Sequence, residues 1–345
     1  PAAGYGSTSN SCAIIRTYYS TLDGTALAYD GYHYWRDWAQ YLDCEDEAGH
    51  AGFVQCGTLT MKIKQNDGLK SAIKMATELN LPFDELDTEE LSQRLPDANL
   101  GVFYPAKRPE HEDFGRNTAN KILGAVFWPH SGYITDPQLA THNLQRAAEA
   151  NGARFQFNTS VTEIMQKDAR VTGVKTSDGL TIEAPVVVNV AGPHSAIINQ
   201  MAGVAESMNI KTRALRHEVP HVPAPEGFKG SDNAPVTSDS DIQTYSRPAS
   251  GDQVLIGSED PECDEQVYVD PDNFDREISE QGRIQAMRLA QRFTGLGIPN
   301  RVGGVVDLYD VSDDWIPIYD KTDLAGFYVA IGTSGNQFKN APVVG

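Results

Sequence analysis

From Ala28 to Leu42, apolar and aromatic residues recur at helical spacing, at Ala28, Tyr32, Trp35, Trp38 and Leu42. This predicts an amphipathic helix with its stripe against a core. Ahead of it, Gly4–Ser11 is rich in Gly, Ser, Thr and Asn and reads as a loop, running into the apolar and aromatic stretch Cys12–Tyr19. Phe53–Lys62 alternates as a strand does, and helices are predicted around Asp67–Leu79 and Thr88–Leu95. Asp136-Pro137 pairs an N-cap with proline at the first helical position, and Gly152 stands at the C-terminal cap, so a helix runs from Gln138 to about Asn151. Arg154–Phe157 and Val161–Gln166 read as strands, and Val171–Lys175 with Leu180–Glu183 as a hairpin around Ser177-Asp178-Gly179. The Val-rich run Pro185–Val190 predicts a strand buried on both faces, as in a parallel sheet.

Ile210–Asp260 is strand-like and punctuated by Pro and Gly, which predicts an antiparallel sheet. A long helix, about Pro271–Thr294, follows, then strands at Val302–Tyr309 and Gly326–Ile331. The fold class is therefore mixed α/β, with no internal repeat.

The 345 residues suffice for one large domain or two ordinary ones, and 40% hydrophobic with 22% charged residues excludes disorder. A net charge of −19 opposes nucleic acid and anionic membranes, so an anionic substrate needs a local positive pocket. No stretch approaches the ~20 apolar residues of a membrane span. Cys12, Cys44, Cys56 and Cys263 form no CxxC pair, and a reducing, cytoplasmic compartment is expected. The eight histidines show no metal-ligand spacing, and no metal site is expected. Both ends read as cut: Pro1 lacks an initiator Met, and Ala341–Gly345 stops in apolar sequence without a cap.

No GxGxxG occurs in the chain. Four other segments carry a resemblance: Gly6-Ser7-Thr8-Ser9-Asn10-Ser11-Cys12-Ala13-Ile14-Ile15-Arg16, Trp128–Pro137 with its helix and Val161, Val186–Pro193, and Gly332–Lys339. In this order they resemble the D-amino-acid oxidase/sarcosine oxidase superfamily of FAD-dependent oxidoreductases, and they place the missing fingerprint just upstream of Pro1. The resemblance implies a Rossmann-like FAD-binding domain over residues 1–45, 125–205 and 300–345. Residues 46–124 and 206–299 then form a sheet-built substrate domain.

It also implies a site. Gly6, Ser7, Thr8, Ser9 and Asn10 would wrap the cofactor, with small residues that allow backbone N–H groups close approach. Val161, Ala191 and Gly192 would lie on the ADP side. Gly332, Thr333, Ser334, Gly335, Asn336 and Gln337 would cover the flavin ring, with a helix starting near Gln337 adding its positive end. Arg16 and Lys339 match the two cations that bind the substrate carboxylate, a planar fork and a point charge. Tyr309 falls at the family's active-site tyrosine. Tyr245 and Arg247 lie on the strand expected to face the ring, and either of Arg216 and His217 could do so. Asp307 replaces the cysteine of covalently flavinylated relatives and the opening loop has no His, so FAD is expected to be held non-covalently. Leu255 stands near the position of the oxygen-activating lysine, leaving either dioxygen or a redox partner as electron acceptor.

The implied reaction is oxidation of the C–N bond of a small secondary or tertiary amino acid, with hydride passing to flavin N5. The alternatives are a non-catalytic subunit serving assembly or electron relay, and a hydroxy-acid dehydrogenase on the same fold.

Overall fold

The computed structural model describes residues 2–345. Its largest element is an eight-stranded sheet in the order Gly303–Ser312, Thr212–Pro223, Gln253–Ser258, Thr244–Ala249, Val236–Asp239, Thr58–Met61, Ala125–Trp128, Asp84–Leu86. The strands within the predicted Ile210–Asp260 segment pair antiparallel, as expected, and the sheet becomes mixed only where Val236–Asp239 lies parallel to Thr58–Met61. It also recruits strands from well outside that segment. The principal core fills between this sheet and the helix Glu280–Arg292, with Leu59, Met61, Val254, Ile256, Ala286 and Leu289 fully or almost fully buried.

Thr212–Pro223 pairs with Gly303–Ser312 over its first ten residues but meets Gln253–Ser258 only at His221–Pro223. Toward His217 and Ser258 the ladder is open, and a cavity reaches both residues.

Three small sheets surround this layer. Ile14–Ile15 pairs with Gly132–Ile134, which pairs in turn with Phe53–Val54. Val187–Asn189 runs parallel to Phe327–Ile331. Val161–Lys167, Arg170–Thr176 and Thr181–Glu183 form the predicted meander. The helix Pro137–Ala150 begins as its caps dictate, with Asp136 accepting the Leu139 N–H at 2.9 Å and Gly152 at φ +89°.

Several predicted elements differ. The Ala28–Leu42 stripe is buried throughout, but it spans two helices, Leu22–Arg36 and Trp38–Leu42, broken at Asp37. Phe53–Lys62 divides at Cys56-Gly57 because its halves serve different sheets. Arg154–Phe157 forms no strand; its residues are exposed, and Phe155 stacks on Phe157. The Pro185–Val190 run is not covered on both faces: Val186, Val188 and Val190 are 51–67% exposed. The Pro271–Thr294 helix is confined to Glu280–Arg292. Before it, Asp270 and Asp275 accept the N–H groups of Asp272 and Glu277, bonds that compete with helix, and Ser279 caps the start. Past Gln337 there is one 3₁₀ turn, Phe338–Asn340, and the short Ala341–Val344 helix.

No helix among the described residues is long and apolar enough to cross a membrane, and all four cysteines are free.

Candidate active site

A cavity of about 1610 Å³ lies where the N-terminal loop, the Ala191-Gly192 turn, the open part of the large sheet and the C-terminal loop meet. Gly6–Asn10, Arg16, Ala191, Gly192, Tyr245, Tyr309, Thr333–Gln337 and Lys339 all line it. Val161 and Gly332 do not: Val161 sits half-buried on the meander, and Gly332 lies behind the C-terminal loop against Ser312 and Thr212.

The opening loop is tied to the large sheet through Asp307. Ser7 Oγ and Asn10 Nδ2 donate to its two carboxylate oxygens at 2.9 and 2.7 Å, and Arg276 approaches at 3.6 Å. The C-terminal loop is held by Asp310, which accepts the Gly332 N–H at 2.7 Å on its side chain and the Ser334 N–H at 2.8 Å on its carbonyl. Burial pushes the Asp310 carboxyl up to about 6. Gly335 is required where it stands: at φ +71° a Cβ would come within 2.7 Å of the Tyr309 ring.

Arg16 and Lys339, 323 positions apart, converge on one residue. Arg16 Nη2 donates to Asn336 Oδ1 at 3.1 Å and Lys339 Nζ to the Asn336 carbonyl at 3.0 Å. Tyr19, whose hydroxyl also reaches Asn336 Oδ1, lies beneath both cations, with Arg16 Cζ at 4.2 Å and Lys339 Nζ at 5.2 Å from its ring centre. Burial opposes the Tyr19 anion, but Arg16 and Lys339 outweigh it and lower its pKa. Lys339 is itself placed by the first helix. Gly31 lets that helix approach so closely that a Cβ would lie 2.4 Å from the Lys339 carbonyl oxygen, and Trp35 Nε1 donates to the same oxygen at 2.9 Å.

Elsewhere on the cavity lining, Tyr245 and Tyr309 join hydroxyls at 3.2 Å, and His217 stacks on Tyr309 at 4.2 Å. Of the adjacent pair, His217 faces the cavity, whereas Arg216 pairs with Glu218 on the other side of its strand. Arg247 does not face the cavity; it is covered by the Cys12 backbone, to whose carbonyl it donates at 2.6 Å. Leu255 is packed with Cys12 and Val219.

Glu259 escaped the sequence reading, and so did Tyr19. Glu259 lines the cavity just beyond the Gln253–Ser258 strand, accepting from Ser238 Oγ at 2.7 Å and Ser240 Oγ at 3.2 Å. Burial raises its pKa to about 7. No local motif marks either residue; only their proximity to Arg16 does. Outside the cavity, Asp46, Glu47 and His142 bring potential ligand atoms within 4.8 Å, but Asp46 is already engaged by Ala48, His142 and Asn143.

The cavity walls fit FAD. They combine a Ser/Thr/Asn loop, open space beside Gly6 and Gly192, and a buried Gln337 Oε1 that has no partner among the described residues.

The chain is similar to human mitochondrial sarcosine dehydrogenase, at 28% identity over 223 residues, 62% of the chain. That match spans only 21% of the relative's length. It is 23% identical over 344 residues, 99% of the chain, to 76% of the sarcosine oxidase subunit beta of an Arthrobacter species. In fold it resembles L-proline dehydrogenase from P. horikoshii (TM-score 0.78, 19% identity, covering 99% of this chain and 81% of that one). It also resembles glycine oxidase from Geobacillus kaustophilus (TM-score 0.74, 20% identity, 99% and 83%). The family model for FAD dependent oxidoreductases, DAO, matches residues 1–345, and the chain belongs to that family.

Proposed function

We propose that this protein oxidises the C–N bond of a small secondary or tertiary amino acid, such as an N-methylated glycine. The observation that carries the reading is the convergence of Arg16 and Lys339 on Asn336 inside the cavity. Asn336 engages one of the guanidinium's five N–H donors and one of the ammonium's three, and both groups keep further donors for a substrate carboxylate. A carboxylate held there fixes the C–N unit in one orientation. Tyr245 and Tyr309 also line the cavity, with their hydroxyls 3.2 Å apart.

Bound FAD supplies the two-electron acceptor for this oxidation. The loop Gly6–Asn10, the Ala191-Gly192 turn and Thr333–Gln337 would hold it non-covalently, Asp307 standing where an attachment cysteine would be. Leu255, packed among apolar side chains, supports delivery of electrons to a carrier rather than to dioxygen.

Anaerobic bleaching of the flavin by a panel of N-methyl amino acids, D-amino acids and hydroxy acids tests the reading. Bleaching by N-methyl amino acids is expected. Bleaching by hydroxy acids alone would transfer the chemistry to C–O oxidation, and none at all would favour a non-catalytic subunit. A second expectation concerns the cofactor loop. Asp307→Ala frees Ser7 and Asn10 together, and flavin fluorescence titration should show FAD binding weakened about tenfold. Unchanged affinity would mean that the loop needs no anchor.

A further inference from the structure

The clamp accounts for a substrate carboxylate but leaves the substrate nitrogen without a partner. At neutral pH that nitrogen arrives as an ammonium ion. Its lone pair is then tied up in an N–H bond and cannot assist departure of the C–H electron pair. That proton must leave before oxidation, and a carboxylate in the cavity can both recognise the cation and accept the proton. Among the described residues, one cavity-lining carboxylate close to Arg16 is held only by neutral donors: Glu259, bonded to Ser238 and Ser240 and forming no ion pair. Asp307 and Asp310, by contrast, are spent on the two cofactor loops, and Asp260, the remaining carboxylate of the lining, lies 3.6 Å from His217 Nε2.

We propose that Glu259 is the cation-recognising subsite of this cavity, facing the substrate nitrogen across from Arg16 and Lys339 and taking the ammonium proton. The substrate class is thereby narrowed to amino acids whose nitrogen binds as a cation. In the step, the N–H bond breaks, its electron pair stays on nitrogen as the free lone pair, and an O–H bond forms on Glu259. Nothing is oxidised or reduced, and the proton returns to solvent when product leaves. Arg16 and Lys339 assist, because two nearby positive charges lower the proton affinity of a bound ammonium.

The groups around Glu259 give it the required range. Burial favours its neutral form, and so does Asp239 at the end of the Val236–Asp239 strand; the serine hydroxyls and Arg16 favour the anion. With the pKa raised to about 7, the carboxylate is available above that pH and absent below it. Tyr18 also lies within electrostatic reach, behind Arg16, with its hydroxyl bonded to Thr60.

This inference rests on the carboxylate clamp, and its test separates the two. Dimethylsulfonioacetate and 3-methylbutanoate are near-isosteres; both carry a carboxylate, but only the first carries a fixed cation, and neither can be oxidised at a C–N bond. Their binding to the FAD-loaded full-length protein is measured by calorimetry. At about pH 8.5 the cation should bind at least about tenfold tighter than its neutral twin. At about pH 5.5 the preference should collapse as Glu259 is protonated. Glu259→Gln should abolish the preference at both pH values while keeping the binding of 3-methylbutanoate. Equal binding of the two ligands by the native protein at the higher pH overturns the proposal and leaves the clamp standing. Failure of both to bind overturns the clamp and this proposal with it. The native protein answers the question alone, so a poorly folded variant does not rescue the idea.

Discussion

Replacing Arg16 with Met raises KM for the amino-acid substrate at least tenfold, about 1.4 kcal/mol, and Lys339→Met does the same. Met keeps an unbranched apolar stem while removing every donor, so the loss reports the charge and its hydrogen bonds. The two effects should not add. Both cations contact Asn336 and share Tyr19, so removing one changes what the other can reach. A pH dependence accompanies them. Burial, followed by the neighbouring Arg16 cation, lowers the Lys339 pKa, although Tyr19 opposes this. Lys339 is therefore neutral at pH values where an ordinary lysine is still charged, and KM in the native enzyme should begin to climb below the usual lysine range. Steady-state kinetics across alkaline pH would show the climb, and Lys339→Met should lack it. Unchanged KM in both single variants would exclude the clamp.

The site was legible in the sequence to the extent that its parts lie in compact segments. The four segments that carried the resemblance meet in two pairs. Ile14 and Ile15 align with Tyr133 and Gly132, and Val187–Asn189 runs beside the strand that leads into Gly332. The Asp136 helix was readable because its caps are made by residues within a few positions of one another. What failed was whatever depended on distant partners. Hydrophobicity could not say that Val186, Val188 and Val190 would face outward. Helical periodicity after Pro271 lost to aspartates that bind their own backbone. Glu259 follows an unremarkable apolar strand, and its meaning comes from Ser238 and Ser240 on one side and Arg16 on the other. Gly31 gave no signal either, because the backbone that needs its missing side chain lies more than 300 residues away.

The serines that hold Glu259 depend in turn on a buried ion cluster, and breaking it should be the most damaging single change to the fold. Arg292 is fully buried, with Nε 2.7 Å from Asp239 and Nη2 2.9 Å from Asp241, and it also donates to the Asn99 and Gly101 carbonyls. Asp241 accepts the Phe103 and Tyr104 N–H groups, so the cluster fastens the turn that follows the Val236–Asp239 strand to the segment around Gly101. Arg292→Met leaves two buried carboxylates in one turn without a counter-charge, and unfolding free energy should fall by about 3–5 kcal/mol. The loss should depend on pH in a definite direction. Asp241 already has a raised pKa, through burial first and then through Asp239, and removing Arg292 takes away the positive charge that opposes this rise. A carboxyl whose folded-state pKa lies above its unfolded value stabilises the fold at low pH and loses that contribution as pH rises through the folded value. The variant should therefore be least impaired under mildly acidic conditions and most impaired above neutrality. Urea denaturation of native and variant protein at about pH 5 and about pH 8 measures both effects. A loss under about 1 kcal/mol at the higher pH would show that the carboxylates find other partners or water. If the turn loosens as expected, Ser238 and Ser240 withdraw from Glu259, and the carboxylate loses the two donors that favour its charged form. Its titration in the surviving folded fraction should then move upward from about 7, coupling a stability defect in the core to the proton acceptor in the cavity.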